Sequence, residues 1–169
     1  MINLHEPNFD KKDLSYLTKC LESGWVSTSG DYIEKFEYNI SKYTGSKFSI
    51  ACINGTSALQ IALKLADVSD GDEVMVPSLT FVASVNAIKY NQAEPIFLDN
   101  DNNYTLDIDK ILEFLKNETI PKIVFTSKGK VRITINKKTK KRIKALMIVH
   151  TFGNAVNIEK IIKICKEKN

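Results

Sequence analysis

An apolar run, a Gly-Thr-Ser turn and a helical pattern follow one another between Ile50 and Ala66, and few folds accommodate all three. Ile50-Ala51-Cys52-Ile53 reads as a buried strand, Asn54 to Ser57 as a turn, and Leu59, Ala62, Leu63 and Ala66 recur at helical spacing. Such a turn aims the free N–H groups of a helix's first turn at one point, beside two hydroxyls. That is a place for an anion, and phosphate is the common occupant. The same residues also read as a plain helix cap, which any α/β protein needs. A second strand, Glu73 to Val76, is followed in the same way by Pro77-Ser78-Leu79-Thr80-Phe81 and a helix through Ile88. In an open parallel sheet, ligands bind outside the carboxyl ends of the strands. Thr56 and Phe81 both fall there, one offering a phosphate contact and the other a flat aromatic face. A phosphorylated ring cofactor would use both.

The remaining elements fit the same architecture. Asp10 to Ser23 reads as a helix with Leu14, Leu17 and Leu21 inward. Asp31 to Thr44 reads as a second, capped by Asp31, with Ile33, Phe36 and Ile40 inward. Between them a polar loop, Gly24 to Gly30, holds the only tryptophan. Three strand–helix units follow, centred on Ile50, Val74 and Ile96; the third passes a polar turn, Asp99 to Asn103, into a helix from Ile108 to Leu115. A last strand, Ala145 to Val149, leads to a helix from Asn157 to Lys168 with Ile158, Ile161, Ile162 and Cys165 on one face. This alternation specifies an α/β fold with a mostly parallel sheet. The last helix has the place of a crossover to a further parallel strand. The chain is therefore expected to be the front part of a larger enzyme.

The net charge of +4 is misleading, because Lys128 to Lys144 holds nine basic residues and no acid, leaving 15 basic against 20 acidic elsewhere. Phe125 to Asn136 reads as a hairpin turning at Gly129, and Lys137 to Arg142 as a solvated loop, together a basic insertion over about 125–142. No aromatic residues interleave with these charges to stack bases, so nucleic acid is not the expected partner, although an RNA-binding module stays open as an alternative. Cys20, Cys52 and Cys165 are odd in number and widely spaced, which fits reduced thiols in a cytoplasmic protein. Two distant histidines give no metal site. No apolar run approaches the roughly 20 residues of a membrane helix, so no membrane partner is expected.

Several segments occur in a recognisable order: Gly24-Trp25-Val26-Ser27 with Phe36-Glu37, Asn54-Gly55-Thr56-Ser57-Ala58-Leu59, and Gly71-Asp72-Glu73-Val74 with Val76-Pro77. Then come Thr80-Phe81-Val82-Ala83 with Asn86-Ala87, Pro95-Ile96-Phe97-Leu98-Asp99, and His150-Thr151-Phe152-Gly153-Asn154. In this the chain resembles the sugar aminotransferases of the DegT/DnrJ/EryC1/StrS group, which use pyridoxal 5'-phosphate (PLP). The ends, Leu4-His5-Glu6-Pro7 and His150 to Gly153, look most like the subgroup acting on UDP-linked 4-keto amino sugars on routes to legionaminic acid.

The resemblance implies the large domain of a fold-type I PLP-transferase. Residues 1–44 would form the N-terminal helices and a substrate-side loop, and 45–169 an incomplete cofactor-binding region. It implies PLP as cofactor, a nucleotide sugar and an amino acid donor, glutamate by family habit, as substrates, and a homodimer at full length. Gly55, Thr56 and Ser57 would hold the cofactor phosphate, and Phe81 would stack on its ring rather than merely cover the sheet. Trp25 and Ser27 would border the substrate pocket, or Trp25 would be a packing anchor. His150, at a strand end, would face substrate, or be satisfied by backbone. Asp99 reads as a turn former. The family's Schiff-base lysine and its aspartate partner for the pyridine nitrogen belong to later segments, so no catalytic residue is assigned within this chain, which alone is expected not to transaminate. A catalytically inactive relative that binds nucleotide sugar is the other reading.

Overall fold

In a computed structural model, which describes residues 6–127 and 129–168, the residues up to Cys52 form one unit and those from Ile53 another. Leu4 and His5, part of the resemblance above, lie outside the described residues, as does Lys128 of the basic segment.

The first unit holds α1 (Lys11–Ser23) and α2 (Asp31–Thr44). A reciprocal cap starts α1: the Asp10 carboxylate accepts the Lys12 and Asp13 amides, and Asp13 accepts the Asp10 amide at 2.8 Å. The expected cap at Asp31 moves one residue earlier, since Gly30 with φ 134° occupies that position and Asp31 is the first helical residue. The inward faces expected for both helices are not buried: Leu14, Leu17, Leu21 and Phe36 all stay more than half exposed. Two short helices enclose too little volume to cover their own apolar stripes.

The strand expected at Ile50 does not form; Ile50 and Ile53 are 82% and 92% exposed. A strand exists only within a ladder. Among the described residues nothing pairs with this segment, and the Ala51 amide instead donates to Glu37 Oε1 at 2.7 Å.

The second unit comprises α3 (Gly55–Leu65), β1 (Glu73–Pro77), α4 (Val82–Tyr90), β2 (Glu94–Leu98), α5 (Ile108–Asn117), β3 (Thr119–Thr126), β4 (Gly129–Asn136), β5 (Arg142–Leu146), a 3-10 turn (Thr151–Gly153) and α6 (Ile158–Lys168). The five strands form one sheet in the order β2-β1-β5-β4-β3. It is mixed: β1 is parallel to β2 and β5, while β3, β4 and β5 run antiparallel. The hairpin turn expected near Gly129 is present, but its first strand begins at Thr119. Pro121, which lacks an amide donor, sits on the edge strand, where the ladder tolerates it.

β5 begins at Arg142 rather than Ala145, and pairing with β1 brings it into the sheet early. Glu73 faces Ile143 and Val74 faces Ala145, so Lys144 is an extra residue bulged out of register. The bulge changes which face the strand presents. Ile143, Leu146 and Ile148 pack with α5 and α6 around Met75, Leu106, Ile111 and Ile161. Ala145 and Met147 pack on the opposite face with α3 and α4 around Val74, Val76 and Ile88. The result is a helix–sheet–helix sandwich with one core on each side. On α6 the buried stripe is Ile161 and Ile164 with Cys165 half-buried beside them, while Ile158 and Ile162 stay partly exposed, a rotation from the expected face set by where the helix meets the sheet.

The loop expected to be solvated ends in a fixed contact. Arg142 Nε and Nη2 each lie 2.7 Å from a carboxylate oxygen of Asp72. Beside it the Asn136 amide donates to Glu73 Oε2 at 2.8 Å, both residues being buried. These pairs tie the hairpin to the start of β1. Among the described residues no helix is long and apolar enough to cross a membrane.

Candidate functional site

Because β1, β2 and β5 are parallel, their carboxyl ends open on one edge of the sheet. The β1–α4 loop, the segment from Asp99 to Asp107 and the segment from Met147 to Asn157 meet there. Asn100 joins the first two: its Oδ1 accepts the Leu79 amide at 2.9 Å and the Ser78 hydroxyl at 3.3 Å, and its Nδ2 donates to the Tyr104 carbonyl at 2.9 Å. The Thr151 hydroxyl donates to the Leu79 carbonyl at 3.5 Å, and the Asn154 amide to the Asn103 carbonyl at 2.9 Å. The turn-forming carboxylate is Asp101 rather than Asp99. It accepts the amides of Asn103 and Thr105 at 2.9 Å and the Thr105 hydroxyl at 3.0 Å. Partial loss of water pushes its carboxyl up, and the bonds from Thr105 and Asn103 outweigh that, holding it below its ordinary value.

Phe81 stands at the cap position of α4 with its side chain projecting to solvent, 77% exposed. Below it the Thr80 hydroxyl donates to the buried Ser84 hydroxyl at 3.0 Å, which fixes the helix start. α4 runs back from this edge to the start of β2, and α3 packs beside it, joined by the bond from Asn91 Nδ2 to the Gln60 carbonyl at 3.1 Å. α3 leads into β1, so its first turn points the same way as that of α4.

At that first turn the Asn54 side chain accepts the Ser57 amide at 2.9 Å, and the Asn54 carbonyl accepts the Ala58 amide. The plain capping role is thus present. Among the described residues it leaves the amides of Gly55 and Thr56 and the hydroxyls of Thr56 and Ser57 without protein partners, with no acidic residue in the turn. A Cβ built at Gly55 meets nothing within 4 Å, so the approach to these donors is open. The donor set fits a phosphate, and the free face of Phe81 fits a flat ring.

His150 is exposed at the same edge, and its Nδ1 accepts the Val156 amide at 3.4 Å, so backbone orients the imidazole. The Thr151 contact brings its segment against the loop that carries Phe81. Trp25 and Ser27 belong to the first unit, where they line an open groove of about 840 Å³ with Leu17, Leu21 and Tyr32. There Trp25 packs against Gly30, where a Cβ would come within 3.1 Å of the Trp25 Cβ. The sequence alone assigns no individual role to Asn100 or Thr151. Asn100 sits among Asp99, Asp101 and Asn102, a run that signals only a polar turn.

A family model for DegT/DnrJ/EryC1/StrS aminotransferases matches residues 7–169. The chain belongs to this family. The GDP-perosamine synthase of Escherichia coli O157:H7 is 35% identical over 99% of this chain and 40% of its own length. Among solved structures, a family aminotransferase from Brucella abortus superposes with a TM-score of 0.75 at 27% identity, over 92% of this chain and 37% of that one. The family fold recurs in NtdA from Bacillus subtilis, solved with bound cofactor PMP, with a TM-score of 0.69 at 27% identity over 91% of this chain and 30% of that one. The chain thus spans about two fifths of the length of the curated family relatives it matches. The mixed sheet with flanking helices is the one these family structures share.

Proposed function

We propose that this protein acts as a PLP-dependent aminotransferase that moves an amino group, from glutamate, to the 4-keto carbon of a nucleotide-linked sugar used for surface polysaccharide. The observation that carries the reading is the acid-free first turn of α3, with amides and hydroxyls that have no partner among the described residues, in one unit with the open face of Phe81.

In this reading Gly55, Thr56 and Ser57 donate hydrogen bonds to the cofactor phosphate, and the positive end of α3 favours its charge. Phe81 lies against the ring and holds its plane. When bound, PLP supplies the electron sink that stabilises negative charge on the carbon gaining or losing nitrogen. His150, with Nδ1 held by the Val156 amide, presents Nε2 toward substrate. Trp25 and Ser27 contribute to the sugar side, and the working form is a cytoplasmic homodimer. The end segments favour a UDP-linked amino sugar, while the similarity to a GDP-perosamine synthase favours a GDP-linked one.

The test is an amination assay on the full-length protein. PLP, glutamate and UDP- or GDP-linked 4-keto sugars are supplied, and the product is read by mass spectrometry as a carbonyl replaced by an amine. Amination of either sugar supports the reading and names the carrier. No amination of any 4-keto sugar, with PLP shown to be bound, overturns it.

A further inference from the structure

The loops at the carboxyl edge form a closed circuit around one residue, Leu79. The Leu79 amide donates to Asn100 Oδ1 at 2.9 Å. Asn100 Nδ2 donates to the Tyr104 carbonyl at 2.9 Å. The Tyr104 ring meets the Phe152 ring edge-on, with centroids 5.7 Å apart. Thr151, next to Phe152, returns a hydroxyl to the Leu79 carbonyl at 3.5 Å. Both sides of the Leu79 backbone are therefore held, two residues before Phe81.

The circuit is held in an unfavourable backbone geometry. Tyr104 and Phe152 adopt φ of 63° and 54°, a region bulky side chains rarely enter. Such strain persists only where surrounding contacts over-determine it. Asn100 makes three hydrogen bonds in the circuit, one of them to Tyr104 itself, through an acceptor that reaches β1's loop and a donor that reaches its own. A side chain with only an acceptor, or only a donor, would leave one loop free.

We infer that Asn100 is a positioning residue that fixes Phe81 for stacking on the cofactor ring; this rests on the PLP reading above. Asn100 does not reach the ring itself. It acts by holding the β1–α4 loop, so that the aromatic face is set before the cofactor arrives and binding spends little on ordering it.

The experiment uses full-length protein with Asn100→Ala, Asn100→Asp, Phe81→Ala and the Asn100→Ala/Phe81→Ala double variant. Two readouts are taken: amide hydrogen exchange across residues 78–82 without cofactor, and PLP affinity with its visible circular dichroism band. Asn100→Ala is expected to speed exchange in that segment and weaken PLP binding about tenfold, the effect of losing one or two net hydrogen bonds. Asn100→Asp, which keeps the acceptor for the Leu79 amide but loses the donor to the Tyr104 carbonyl, is expected to recover only part of both. In the Phe81→Ala background the Asn100 change adds less than about twofold, because the two act through one contact. Phe81→Ala that weakens PLP binding while Asn100→Ala does not would overturn the positioning role. Full additivity of the two changes would also overturn it, since Asn100 would then act elsewhere. If Phe81→Ala alone leaves binding unchanged, the stacking reading itself fails and takes this inference with it.

Discussion

Replacing Arg142 with methionine strips the guanidinium from the Asp72 carboxylate, and the geometry sets the size of the loss. Nε and Nη2 each sit 2.7 Å from one carboxylate oxygen, and the Asp72 and Arg142 side chains are 6% and 33% exposed. Breaking a buried ion pair from one side costs about 3–5 kcal/mol. Here the arginine is a third exposed, and the Ser69 amide and hydroxyl still donate to Oδ2 at 3.0 and 3.1 Å. The loss therefore belongs at the low end, about 3 kcal/mol. With a urea slope of about 2 kcal/mol/M, the unfolding midpoint falls by about 1.5 M. Circular dichroism through a urea series reads it directly. The pH dependence gives a second check. Burial pushes the Asp72 carboxyl up, but the Arg142 and Ser69 bonds outweigh it and hold the carboxyl below its ordinary value. A group lowered in the folded state contributes stability above its unfolded pKa, about 3.9, and loses it as pH falls through the folded value. The gap between wild type and Arg142→Met should thus be full at pH 7 and shrink below about pH 4. Equal midpoints at pH 7, or a gap unchanged down to the acid limb, would refute the reasoning. Asp72→Asn combined with Arg142→Met should regain part of the loss, because no buried charge is left unpaired.

Three further outcomes are expected. Thr56→Val keeps the shape of the α3 turn but removes a donor, and should weaken PLP binding to full-length protein about fivefold by absorbance titration; unchanged affinity would exclude the hydroxyl from the phosphate site. Ile111→Ala opens a cavity in the core against α6 and should cost about 3 kcal/mol in a denaturant melt, because Ile111 is fully buried. Cys52 is exposed, whereas burial pushes the Cys165 thiol up and keeps it protonated, so iodoacetamide at neutral pH should label Cys52 first by peptide mass spectrometry.

Local signals were read well wherever a few neighbouring residues decide the outcome. Asn157 accepts the Lys160 amide at 3.1 Å and starts α6, as its place before an apolar run predicts. A hairpin close to Gly129 and the Gly-Thr-Ser turn at the head of α3 are legible for the same reason, although Gly129 itself begins β4, paired with Thr126. Ile50 shows where such reading stops. Its neighbours have strand character, but strand formation needs a partner that no local pattern supplies. Arg142 makes the same point for charge, since nothing near it in the chain announces an acceptor 70 residues away.

By itself the sequence determined the kind of fold, through the alternation of strand and helix patterns, and which polar and aromatic groups stand at the heads of α3 and α4, through Thr56, Ser57 and Phe81. Those depend on periodicity and residue type, which act over a few residues. The tertiary structure alone decided the bulge at Lys144 that gives β5 an apolar residue for each core, the capture of Arg142 by Asp72, and the circuit through Asn100 that holds the loop before Phe81. Each of these is a pairing between residues far apart in the chain, and such a pairing is chosen only when two packed surfaces leave one way for their polar groups to be satisfied.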